Sequence, residues 1–199
     1  MLYLTHGGDE MLILSSCDFR NENSKKVILN NLPKPIQQCK ILFFPNEKAT
    51  FETIHSEKFR LRLQEFGFNK ANVHIFDYYN PAEFQNLDLD VIYISGGNTF
   101  MTLQRIRDCG FDKQIISYVK RGVTYIGGSA GAHIATKDIT HVKEFDLLPE
   151  DMIDFKGLGL FDGILICHYT EERKEILDKL QNSSKYKVFS LTNDESIII

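Results

Sequence analysis

A serine set between glycines is the first residue of this chain that could do chemistry. The segment Gly127-Gly128-Ser129-Ala130-Gly131 satisfies the pattern Gly-x-Ser-x-Gly, and the β-prone run Val123-Thr124-Tyr125-Ile126 leads directly into it. A serine on so sharp a strand-to-helix turn has strained backbone angles, and side chains at the flanking positions would strike the strand or the helix. Gly127, Gly131 and Ala132 remove those collisions. The expected result is an Ser129 hydroxyl lifted clear of a sheet, at a helix N-terminus that favours a developing anion. A phosphate-binding or merely packed turn would use the same glycines. A phosphate loop normally adds Lys or Arg, however, and none occurs between Val123 and Thr136.

A serine nucleophile needs a base, and six histidines are available. His168 follows the apolar run Ile164-Leu165-Ile166-Cys167, which puts it at the carboxyl end of a strand. His6 and His55 lie among polar residues, His74 is inside a strand and His141 is in an expected loop. His133, one helical turn past Ser129, could line the same pocket but would struggle to reach the hydroxyl from the correct side. His168 is therefore the expected general base, whose neutral imidazole can accept the serine proton near pH 7 and contribute about 10²–10⁴ in rate. A carboxylate normally orients such a histidine. Asp146 is the first candidate and Glu144 the second, both within an acidic stretch between serine and histidine; Asp194 and Glu195 are further candidates, and any of these acids could instead belong to a solvated loop. A second glycine turn, Ser95-Gly96-Gly97-Asn98-Thr99, ends another strand and begins a helix. An amide there, together with that of Ala130, could hold an oxyanion, a donor of the kind typically worth about 2.7–4 kcal/mol in the transition state. Asn98 or Thr99 could equally cap the helix.

These residues need strands to carry them. β-rich runs recur at 11–15, 40–45, 73–77, 90–95, 123–127, 164–168 and 187–191, several of them apolar almost throughout, as buried parallel strands are. Between them lie helical spacings such as Ile115, Ile116 and Val119, or Ile176, Leu177 and Leu180. Gly67, Gly110 and Gly122 stand where helices would stop, and Thr170, followed by Glu171 and Glu172, reads as an N-cap. Alternation of this kind predicts a doubly wound α/β fold with a mainly parallel sheet and helices on both faces. Ligands in such folds bind beyond the carboxyl ends of the strands, where Gly97, Ser129 and His168 all fall. Residues 2–5 read as an extra strand, and residues 197–199 end on β-branched side chains as one arm of a hairpin would.

Composition narrows the function. The 199 residues suit one α/β domain spanning 1–199, with 43% hydrophobic and 25% charged side chains and no repeat or low-complexity tract. With 23 Lys and Arg against 27 Asp and Glu, and no dense basic run, nucleic acid is not expected as a partner. No apolar run approaches the ~20 residues that span a bilayer, and residues 7–10 interrupt any signal-peptide core, so a cytoplasmic location is expected. The four cysteines form no Cys-x-x-Cys pair, which predicts reduced thiols and no metal.

Taken together, Gly96-Gly97-Asn98-Thr99-Phe100, then Tyr125-Ile126-Gly127-Gly128-Ser129-Ala130-Gly131-Ala132, then His168-Tyr169, make a chain that resembles peptidase family S51, typified by dipeptidase E, from about residue 11 to 199. The resemblance implies a class I glutamine amidotransferase-like fold and a Ser-His pair at Ser129 and His168. It also implies an oxyanion hole from Gly97 and Ala130, and an acid downstream of the serine near Asp146. Asn98 and Arg173 are the expected substrate contacts, Arg173 for a carboxylate unless Glu172 or Glu175 neutralises it. The chain departs from the family at Cys167, where proline is common, at His133, and in the short segment after His168, where aspartyl dipeptidases build part of their substrate site. The expectation is a cofactor-independent serine peptidase acting on small peptides, alone or as a homodimer. A related acyl hydrolase or amidase, or a non-catalytic binding relative, are the alternatives, and an amidotransferase is disfavoured because Ser129 stands where those enzymes carry cysteine.

Overall fold

A computed structural model describes Leu2, Tyr3 and residues 11–199. Residues 4 and 5 of the expected first strand and His6 lie outside the described residues, as do the residues 7–10 that interrupt a signal-peptide pattern. The strands are β1 (Leu2–Tyr3), β2 (Leu12–Ser15), β3 (Ile41–Phe44), β4 (Val73–Ile75), β5 (Val91–Ile94), β6 (Thr124–Gly128), β7 (Ile164–Ile166), β8 (Val188–Ser190) and β9 (Ser196–Ile198). The helices are α1 (Glu22–Asn30), α2 (Phe51–His55), α3 (Lys58–Phe66), α4 (Thr99–Asp108), α5 (Asp112–Lys120), α6 (Ala130–Ile134) and α7 (Lys174–Ser183).

The main sheet runs in the order β1-β9-β2-β6-β5-β3-β4, and its pairs are parallel except that β9 runs antiparallel to β2. Residues 196–198 thus form a strand wedged between β1 and β2. Every residue of β2, β3, β5 and β6 is buried, which explains why these segments read as continuous apolar runs rather than alternating ones. Connections from β2 to β3 and β3 to β4 move toward one edge, whereas those from β4 to β5 and β5 to β6 return. Right-handed crossovers then put α1–α3 on one face and α4–α5 on the other. Adjacent residues of β3 register both layers. Phe43 packs on Phe59 of α3 with ring centroids 5.5 Å apart, while Phe44 packs on Phe111, the residue preceding α5, at 5.8 Å.

Gly67 ends α3 at φ 116°, and Gly110 and Gly122 follow α4 and α5 at φ 70° and 89°, a backbone region that costs other residues about 1 kcal/mol or more. Thr170 differs from expectation. A 3-10 turn, Glu171–Arg173, separates it from α7, and its hydroxyl makes no capping bond.

Strands β7 and β8 pair parallel in a separate two-stranded sheet. Ser16, just past β2, ties it to the main sheet. Its hydroxyl donates to Leu191 O at 2.9 Å and accepts from His168 N at 3.1 Å. The end of β7 is thereby anchored beside the ends of β2 and β6.

Candidate active site

Ser129 occupies the position between β6 and α6 with φ 49° and ψ −105°. A serine at a helix N-cap ordinarily turns its hydroxyl back onto the first-turn amides, but Ser129 makes no such bond. The turn is held instead by its backbone. Its N–H donates to Ser15 O at 2.8 Å, and its carbonyl accepts from Ala132 N and His133 N, each at 3.0 Å. Holding a non-glycine residue there costs on the order of 1–3 kcal/mol, supplied by the close packing around it. That packing requires glycine. A Cβ at Gly127 would meet Gly131 O at 2.7 Å, one at Gly131 would strike Ile94 O, and one at Gly128 would strike the Asp18 carboxylate.

The hydroxyl so freed meets His168. Ser129 Oγ lies 2.8 Å from His168 Nε2, and His168 Nδ1 lies 2.7 Å from Asn193 Oδ1. A carbonyl oxygen only accepts, so Nδ1 carries the proton and Nε2 presents a lone pair to the serine, the tautomer a general base needs. His168 itself has φ 53°, which turns the ring from the end of β7 toward β6. Three groups fix it. Besides Ser16, His133 accepts the Cys167 N–H on its Nε2 at 3.2 Å, and Arg173 Nη1 donates to Cys167 O at 2.5 Å while stacking over Phe145.

His133 is buried, and loss of hydration holds its pKa well below the usual imidazole range, with His141, His168 and Arg173 adding repulsion. It is a neutral acceptor, with Nδ1 3.4 Å from Thr99 Oγ1, and it does not reach Ser129 Oγ. Burial likewise pushes the Cys167 thiol up to about 12, which makes it a packing residue. Cys17 Sγ lies 4.0 Å from His168 Nδ1, and burial raises its pKa too.

The acids expected to orient His168 are engaged elsewhere. Asp146 Oδ2 accepts the Thr99 N–H at 2.7 Å and so caps α4, a correction with a simple cause: the first amides of a helix lack partners, and the 145–151 loop crosses them. Glu144 closes a 3-10 turn, Thr140–Glu144, facing α7. Asp194 accepts from Asn21 and Asn23, and Glu195 from Thr192 N. Asn193, the residue just before Asp194, supplies the contact.

The expected substrate contacts also have structural work. Asn98 caps α4 through Met101 N, donates from its amide to Leu147 O, and gives its own N–H to Glu47. Arg173 is held at Cys167 as described. By contrast Gly97 N and Ala130 N donate to no protein group among the described residues, so both amides remain available. Beside them stands Arg20, which no motif identified. Its Nε donates to the fully buried Asp18 at 3.0 Å, its Nη2 lies 2.9 Å from where a Gly96 Cβ would be, and that same point is 3.3 Å from Ser129 Cβ. No group of three or more potential metal-ligating side chains occurs among the described residues. No helix among them is long and apolar enough to cross a membrane.

Several known proteins are similar to this chain. An uncharacterized peptidase of Listeria monocytogenes is 34% identical over 115 residues, covering 55% of this chain and 56% of that protein. A peptidase E of Citrobacter koseri is 38% identical over 88 residues, covering 44% of this chain and 38% of the relative. The chain thus spans about half the length, or less, of the curated relatives it matches. In structure it is similar to a Listeria monocytogenes protein described as a candidate peptidase E, with TM-score 0.70 and 26% identity over 96% of this chain and 94% of the other. A peptidase from an acI-B1 actinobacterium, at 17% identity and TM-score 0.64 over 96% of this chain and 83% of that one, shares the fold. The profile of peptidase family S51 matches residues 11–199, nearly the whole chain. The chain belongs to peptidase family S51.

Proposed function

We propose that this chain is a serine peptidase that hydrolyses small peptides without a metal or cofactor. The observation that carries the reading is the Ser129 Oγ to His168 Nε2 contact of 2.8 Å, made by a serine in a strained turn and a histidine in the base tautomer. Ser129 Oγ attacks the scissile carbonyl as His168 takes its proton, and the free amides of Gly97 and Ala130 receive the oxyanion. His168 then returns the proton to the leaving amine. Water activated by the same imidazole hydrolyses the acyl-enzyme. Asn193 keeps Nδ1 protonated throughout, and Arg20 presents Nη1, which has no protein partner among the described residues, to a substrate oxygen near the nucleophile.

Membership of family S51 and the peptidase names of the relatives support a peptide substrate. The free thiols of Cys17, Cys39, Cys109 and Cys167 suit a reducing cytoplasm. We extend the reading to one catalytic domain over 1–199, alone or paired in a homodimer, with no nucleic-acid partner. A library of di- and tripeptides, followed by mass spectrometry, tests it. The wild-type chain should release amino acids and Ser129→Ala should not. A folded chain that cleaves no peptide contradicts the proposal, and turnover of simple esters in the same samples would point to a non-peptide acyl substrate.

A further inference from the structure

The turn that carries Gly97 leaves β5 with two glycines in succession, the residue type least able to fix its own backbone. An oxyanion donor, by contrast, has to be aimed to within about 0.5 Å. The turn stands directly against the nucleophile, since a Cβ on Gly96 would lie 3.3 Å from Ser129 Cβ. Its rigidity has to come from outside.

It comes from the segment after β3, the neighbouring strand. Asn46 Nδ2 donates to Gly96 O at 3.2 Å. That carbonyl belongs to the same planar trans peptide as the Gly97 N–H and points the opposite way, so fixing the one aims the other away from Asn46. Glu47 Oε2 accepts the Asn98 N–H at 3.0 Å and thereby fixes the next peptide, so both planes that meet at the Gly97 Cα are held. The same side chains fill the space of a Gly97 side chain, whose Cβ would lie 2.8 Å from Asn46 Cβ and 2.5 Å from Glu47 Oε2. The clamp is itself braced. Buried Thr102 of α4 donates to Glu47 Oε2 at 3.2 Å, and the Tyr78 hydroxyl donates to Pro45 O at 2.6 Å. Arg105 donates to Ala49 O at 2.8 Å and to Asn46 O at 3.4 Å while stacking over Tyr78.

We infer that Asn46 and Glu47 are positioning residues for the oxyanion hole, acting through the two peptides that flank Gly97 to aim its amide at the carbonyl that Ser129 attacks. The inference rests on the serine peptidase reading. Glu47 works as an acceptor rather than through its charge, because a carboxylate beside a developing oxyanion opposes it. The charge is accommodated by the N-terminus of α4, where free amides and the helix dipole favour an anion. A neutral carbonyl in the same place would aim the turn equally well.

The test uses the full chain and a fluorophosphonate, which gives both the fraction of molecules whose Ser129 reacts and the rate constant per reactive serine. A merely structural role lowers the fraction or the melting temperature and leaves the rate constant alone. Asn46→Ala and Glu47→Ala should each lower the rate constant per reactive serine by about tenfold to a hundredfold, the scale of a misplaced catalytic donor. On a peptide that the wild type cleaves, the loss should appear in kcat, with KM changed by less than about threefold. Glu47→Gln, which keeps an acceptor carbonyl, should restore the rate to within about threefold of wild type. Hydrogen exchange at the Asn98 amide should be faster in Glu47→Ala than in Glu47→Gln, a readout that needs no catalysis. Rate constants unchanged in both alanine variants, with wild-type Ser129 labelled, overturn the positioning role and leave the peptidase reading intact. A loss in Glu47→Gln equal to that in Glu47→Ala overturns the acceptor role, and a loss confined to KM overturns it in favour of substrate contact. A folded wild-type chain left unlabelled at Ser129 overturns the peptidase reading and this inference with it.

Discussion

Asn193 Oδ1 sits 2.7 Å from His168 Nδ1, so an uncharged amide does the orienting that a carboxylate does in the serine-acid-histidine arrangement. The amide fixes the tautomer but adds no negative charge to stabilise an imidazolium. Asn193→Ala should therefore lower kcat/KM by about 10²-fold through loss of orientation, with little change in thermal stability. Asn193→Asp should retain activity while moving the acidic limb of the kcat/KM profile to higher pH, because the added carboxylate favours the protonated ring. Identical limbs in Asn193→Asp and wild type would contradict this role.

Asp146 separates capping from catalysis. Asp146→Ala removes the acceptor for Thr99 N and should cost about 0.5–2 kcal/mol in chemical denaturation. Its kcat/KM should fall far less than that of Asn193→Ala. A larger loss of activity than in Asn193→Ala would restore Asp146 as the orienting acid.

The fold and the Ser-His pair are legible in the sequence to different depths, for physical reasons. Strands such as β3 and β5 are readable because both faces are covered and every residue is apolar. Ser129 is readable because its glycines are a local steric requirement, and His168 because it ends an apolar strand. Asn193 is not readable this way. It stands 25 residues beyond His168 in a turn, and a search for carboxylates passes over an amide beside Asp194 and Glu195. Asp146 misleads for the same reason in reverse, since an acid in a loop meets whichever helix N-terminus the fold brings to it. Arg20 and the buried Asp18 carry no motif. Their place beside Ser129 follows from β2 lying next to β6.

The glycines of the nucleophile turn should tolerate no side chain. Gly131→Ala drives a methyl group into Ile94 O and should destabilise by about 1–3 kcal/mol or prevent folding. Gly110→Ala, where a Cβ meets open space, should cost about 1 kcal/mol from backbone conformation alone. Equal melting temperatures for the two variants would contradict the steric account of the motif.

Two buried histidines make stability depend on pH. Burial is the first cause that lowers the pKa of both His133 and His141 below the ordinary imidazole value of about 6.5, so below that pH the unfolded chain binds more protons than the folded one. Their contribution is fully present above about pH 6.5 and is lost as pH falls through the folded values. Melting temperature should drop between about pH 6.5 and pH 5, and His133→Gln should flatten that dependence. A wild-type melting temperature that rises over this interval would contradict the neutral buried state.

The central claim is that Ser129 is a nucleophile activated by His168. Intact-mass and peptide mass spectrometry after treatment with a fluorophosphonate tests it most directly. The account predicts a single adduct on Ser129, absent in Ser129→Ala and formed far more slowly in His168→Ala. A folded wild-type chain that remains unmodified at Ser129, or is modified equally fast without His168, would contradict it.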